Sequence, residues 1–132
     1  MIETALCDSF KLDILSGIHS LQDEYRMALY GDEAGLGHYT TSYTEDGEVS
    51  GDGYQRGGVT LLGAKVSLES GAAALTFDAI EWSRISVVTS GCMIYNASKE
   101  NRAVAVFSFG NKVEARNGRL SVNIPANVIR IR

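Results

Sequence analysis

The chain has 132 residues, 45% of them hydrophobic and 21% charged, which is enough for one self-sufficient core and too apolar for global disorder. A formal net charge of −4 argues against a broad nucleic-acid or anionic-membrane surface, which needs a basic excess. No apolar run approaches the roughly 20 residues of a membrane helix. Cys7 and Cys92 are too few for a disulfide scaffold and have no metal-ligand spacing.

The start, MIETALCDSFKLDILSGIHS, has no basic segment leading into a long apolar block, so no secretory leader is expected. Residues 8–20 predict one helix. Asp8 or Ser9 is placed to cap it, and Phe10, Ile14, Leu15 and Ile18 recur at helical spacing. Gly17 stands where its last turn would weaken. So short a helix must dock its apolar stripe, either on its own chain or on a neighbouring subunit. Glu24–Tyr30 alternates Tyr25, Met27 and Leu29 with Arg26, Ala28 and Tyr30, which reads as a strand with one buried face.

From His38 to Gly58 the chain is rich in glycine and acid, with Glu45, Asp46, Glu48 and Asp52 between the glycines. Tyr39–Thr44 is expected to form a short edge strand, and about residues 44–58 an extended acidic surface loop. Contact with another subunit is the role expected of it. The rhythm then becomes regular. Val59–Leu62, Lys65–Glu69 and Ala72–Phe77 read as short strands, with a tight turn at Ser70-Gly71. Val66 and Leu68 share one face, and Ala73, Leu75 and Phe77 point inward.

The longest apolar runs are Arg84–Asn96 and Arg102–Phe109, joined by the polar Ala97–Asn101. They predict an antiparallel hairpin with a five-residue loop. Both alternating sets in the second arm, Val104 and Val106 against Ala103, Ala105, Phe107 and Phe109, are apolar, so another layer must cover each face. Gly91 marks an expected bulge or twist. Beyond Gly110, Lys112–Arg116 and Arg119–Ile124 read as a second hairpin turning at Asn117-Gly118 and stopped by Pro125; Leu120, Val122 and Ile124 are its inward set. Val128–Arg132 is expected to be a terminal strand. The whole predicts a single mainly β domain, residues 1–132, with one N-terminal helix before a sandwich or jelly-roll-like body of about eight or nine antiparallel strands.

Little in the sequence carries chemistry. His19 and His38 fall at a helix end and in a loop, outside HxH or HExxH spacing, where histidine is an ordinary polar group. No nucleophile elbow or phosphate loop is present. Glu45, Asp46, Glu48 and Asp52 offer oxygen ligands but lack the EF-hand pattern. Trp82 reads as a core aromatic. Tyr39, Tyr43, Tyr54 and Trp82 would carry a glycan-binding alternative. Arg116, Arg119, Arg130 and Arg132 put positive charge at the C-terminal end, complementary to the acidic loop in a subunit-to-subunit contact. The candidate interface residues are therefore Phe10, Ile14, Ile18, Glu45, Asp46, Glu48, Asp52, Tyr54, Arg130 and Arg132. The chain reads as a non-enzyme, with no catalytic residue, cofactor or metal expected.

The segments CDSFKLDILSGIHS, YRMALYG, GEVSGDGYQRGGVTL, FDAIEW, CMIYN, NRAVAVFSFG and VIRIR, in that order, resemble a family of small virion structural proteins of tailed bacteriophages. The resemblance covers nearly the whole chain. Its acidic Glu45–Asp52 loop and the Ser90 and Cys92 around Gly91 depart from the pattern, and it carries over no functional residue. It implies a virion component, by analogy with capsid decoration (cement) proteins that sit on the outer lattice and clamp capsomers. The expected partners are then the major capsid protein and further copies of the chain, a homotrimer being favoured, with neither nucleic acid nor membrane. The expected location is the capsid surface, after assembly in the host cytoplasm. A tail or head–tail-junction component, or a host- or glycan-binding module, is the alternative.

Overall fold

A computed structural model describes all 132 residues. The elements are β1 (Ala5–Leu6), α1 (Asp8–Leu15), β2 (Tyr25–Tyr30), β3 (Val59–Thr60), β4 (Lys65–Glu69), β5 (Ala72–Thr76), β6 (Ile80–Asn96), β7 (Arg102–Val122) and β8 (Arg130–Ile131). They make a five-stranded sheet in the order β1-β7-β6-β2-β3 and a three-stranded sheet β4-β5-β8. All strand pairs are antiparallel. The mainly β, sandwich-like architecture of eight strands and one helix is the one expected.

The β6–β7 hairpin is the frame. Its arms meet through Asn96↔Arg102, and the five residues between them turn with Glu100 and Asn101 at positive φ. Both faces of the proximal half are covered: Ala103, Val104, Ala105 and Val106 are all buried, as are Met93, Ile94 and Tyr95 opposite them. On one face Tyr43 stacks on Tyr95 at 4.7 Å, and the Tyr95 hydroxyl donates to the Gly57 carbonyl at 2.6 Å. On the other, Tyr25 meets Phe77 at 5.6 Å. The chain thus folds its own 38–58 loop over one face and its helix and β5 end over the other. Phe107 and Phe109 are half-buried, edge to face at 5.7 Å, at the rim of this core.

Several expectations are corrected. β2 is buried on both faces, not one, with only Arg26 partly exposed, because the 38–58 loop lies over one face, where the Tyr30 hydroxyl donates to the Thr44 carbonyl, and His19 and Phe77 pack on Tyr25 at the other. Asn117-Gly118 is no hairpin turn: β7 runs unbroken to Val122, and Asn117 at φ 47 makes a bulge opposite β6. One extra residue in a ladder accommodates the same left-handed Asn that a two-residue turn would use. The register also breaks between Thr89 and Gly91, as expected near Gly91, with the surplus residues on β7. Tyr39–Thr44 forms no strand beyond a single bridge, Ser42↔Arg102.

The helix is shorter than 8–20. Cys7 occupies the N-cap position with no side-chain cap, so neither Asp8 nor Ser9 caps it. Gly17, at φ 71, stops it: Ile18 N–H donates to the Asp13 carbonyl and Gly17 N–H to Ile14, the paired bonds of a Schellman motif that only a left-handed residue closes cheaply. The buried face is Phe10 and Asp13, leaving Leu12, Ile14 and Leu15 exposed. The docked stripe is therefore rotated from the one the apolar spacing predicts.

Candidate functional site

Three places concentrate unusual chemistry. The first lies in the acidic loop. Glu48 bridges to Tyr30 at the β2 edge, and Val49 N–H donates to the Leu29 carbonyl, so this part of the loop prolongs the sheet edge. The Glu48 side chain is buried and accepts hydrogen bonds from the Tyr43 hydroxyl, the Tyr54 hydroxyl and the Gly57 N–H. Tyr54 in turn accepts the Leu29 N–H at 3.0 Å. Burial, then the Glu48 hydrogen bond, push both tyrosines' pKa values well up. A buried carboxylate with three donors is a fastener. It is not a calcium ligand set: Glu45, Asp46 and Asp52 point to solvent, and no three metal-ligating side chains come together anywhere in the chain.

The second place is under the helix end. Arg102 donates to Asp13 at 3.1 Å, and Lys99 to Asp23 at 2.8 Å. Asn96 links the two halves. Its amide oxygen accepts the Ser98 N–H, and its amino group donates to Asp23 at 2.8 Å and to His19 Nδ1 at 2.9 Å. That amino group can only donate, so neutral His19 carries its proton on Nε2. Nε2 faces Asp13 at 3.6 Å and has no hydrogen-bond partner. His19 is thus no surface histidine; its side chain is 4% exposed, and desolvation lowers its pKa although Asp13 opposes the shift. Burial raises Asp23 less than Lys99, Asn96 and the Ser20 N–H lower it, leaving a firm carboxylate. Both cysteines are buried, and desolvation pushes the Cys7 thiol up to about 12 and the Cys92 thiol up as well, away from the reactive thiolate form.

The third place is an apolar surface. β4 is exposed along its whole length, with Val66 and Leu68 on the face that also carries Ala73, Leu75 and Ile131. Between this face and the helix runs an open groove of about 190 Å³, lined by Phe10, Ile14, His19, Leu21, Tyr25, Val66 and Ile131 among others. Leu15, 89% exposed, continues it toward Arg130, Ile131 and Arg132.

Of the expected interface residues, Phe10 and Glu48 are buried within the chain and so are unavailable to a partner. Phe10 is the helix's core anchor and Glu48 the loop's fastener. Ile14, Arg130 and Arg132 lie together on the apolar groove, and Ile18 is half-buried. Tyr54 is half-buried with its hydroxyl occupied, and Trp82 is a core residue, 7% exposed. Arg116 and Arg119 pair locally with Glu114 and Glu81. The Asp13–His19–Asn96 cluster goes unrecognised in the sequence. Its one signal is Asp13, an acid three residues after Phe10 on the docked helical face. Compared with known proteins, the chain matches no family model, no curated protein and no solved structure.

Proposed function

We propose that the chain is a non-enzymatic structural protein of a bacteriophage virion, a capsid decoration protein that binds the assembled lattice through the surface between α1 and the small sheet. The observation carrying this reading is the contiguous exposed apolar surface of Ile14, Leu15, Leu21, Val66, Leu68 and Ile131. Soluble proteins seldom leave such a surface uncovered unless a partner takes it. Exposed Arg130, Arg132 and Lys11 rim it, so the fitting partner, here the major capsid protein, presents apolar side chains inside an acidic border. The groove is open, and the Asp13–Asn96–Asp23 cluster beside it is spent on internal bonds apart from His19 Nε2, which suits an adhesive role. Binding only the assembled lattice stabilises it by mass action.

The test is to separate heads from tails in virions that contain the chain and quantify it in each by mass spectrometry. The proposal expects it on heads in fixed stoichiometry with the major capsid protein. Recovery in tails alone would replace it with a tail or head–tail-junction role.

A further inference from the structure

We infer that β4 is a self-recognition edge, through which two copies of this chain pair antiparallel about Ser67. Of the four strands that end the two sheets, β1, β3 and β8 are two residues long, whereas β4 has five and is exposed throughout. Its backbone direction follows from β5. Leu75 donates its N–H to Ile129 on the β8 side, so Ala72, Ala74 and Thr76 turn their backbone groups toward β4. Their partners Glu69, Ser67 and Lys65 turn back toward β5. In an antiparallel ladder neighbouring residues alternate. Val66 and Leu68 therefore present their N–H and C=O groups at the open edge.

This edge complements itself in one register. With Ser67 opposite Ser67 of a second copy, Val66 stands opposite Leu68 of that copy, and each such pair exchanges two main-chain hydrogen bonds. Lys65 stands opposite Glu69 of the second copy, at non-hydrogen-bonded positions where cross-strand side chains come closest. The sequence Lys-Val-Ser-Leu-Glu thus reads as its own partner when reversed: cation meets anion, apolar meets apolar. A parallel in-register pairing would set Lys65 against Lys65 and Glu69 against Glu69, so the charges select the twofold arrangement. Paired edges join the two small sheets into one of six strands and run their apolar faces together. An exposed edge without protection is otherwise a liability. The surface is small, so the pairing is weak in dilute solution and strengthens when the copies are held side by side.

The inference stands apart from the virion reading, and sedimentation equilibrium up to millimolar concentration tests it. The wild-type chain is expected to show a concentration-dependent dimer. Lys65→Glu or Glu69→Lys alone places like charges opposite each other twice and weakens the dimer by about tenfold or more. Because each reversal is matched by the other, Lys65→Glu/Glu69→Lys restores it, and mixing the two single variants yields a heterodimer. Leu68→Pro, which removes an outward N–H from the edge, abolishes pairing; the charge variants stand if it fails to fold. A wild-type chain that stays monomeric, a trimer insensitive to the reversals, or single reversals without effect would overturn the pairing. Localisation on heads would be untouched by that result.

Discussion

The fastening of the 38–58 loop makes a quantitative contrast between two tyrosines. Tyr43→Phe removes one hydrogen bond to a buried carboxylate and keeps the ring that stacks on Tyr95, which costs about 1.5–3 kcal/mol. Tyr54→Phe removes the same kind of bond to Glu48 and also strands the Leu29 N–H, whose acceptor is the Tyr54 oxygen. A buried donor left unmatched costs about 1–3 kcal/mol more, giving about 2.5–6 kcal/mol in total. That is a large share of the 5–15 kcal/mol typical of small domains. Urea unfolding followed by circular dichroism reads the difference: at a slope of about 2 kcal/mol/M, the Tyr54→Phe midpoint falls by about 1.3–3 M. Equal midpoints for the two variants, or no loss in either, would refute the idea that Glu48 and Tyr54 together hold this loop to β2.

The two histidines should give pH dependences of opposite sign. His19 has a folded pKa below its unfolded value because it is desolvated, so its contribution is complete above about pH 6.5 and falls as pH drops from there toward the folded value; His19→Gln should flatten that limb of a stability–pH curve. His38 is raised by its hydrogen bond and charge interaction with Asp8, so its contribution is complete below about pH 6.5 and fades as pH rises through the folded value; His38→Gln should remove that gain. Gly58, at φ 81, brings its Cα so close to β2 that a Cβ would sit 1.7 Å from the Met27 carbonyl oxygen. Gly58→Ala should therefore cost about 3 kcal/mol or more, or fail to fold, by the same denaturation measurement. Native Cys7 and Cys92 should react with a thiol reagent only on unfolding, so labelling at neutral pH should be slow in buffer and rise across the urea transition.

The sequence was most legible where a local rule and the global fold agree. The doubly apolar run through Ala103–Val106, the polar Ala97–Asn101 turn and the Ser70-Gly71 turn, whose residues both have positive φ, carry their conformation in short-range pattern. Asn117-Gly118 misleads because a left-handed Asn serves a bulge as well as a turn, and only the length of β6 opposite decides between them. The helix misleads for a related reason. Leu12, Ile14 and Leu15 look like a docked stripe, yet Asp13 is drawn inward by Arg102, 89 residues away in the chain, a pairing that periodicity does not register. Glu48 is likewise indistinguishable from Glu45 and Asp46 until tyrosines from two parts of the loop converge on it. Polar residues gathered from distant positions were the part of the candidate sites that the sequence concealed.

The surface between α1 and the small sheet is the proposed capsid-binding face. A reconstruction of a virion containing the protein tests this most directly. Density for the chain is expected on the outer shell, with Leu15, Leu21 and Ile131 against the major capsid protein and Arg130 and Arg132 meeting acidic side chains at the rim. A chain seated elsewhere in the particle, or on the shell with this apolar face turned to solvent, would contradict it.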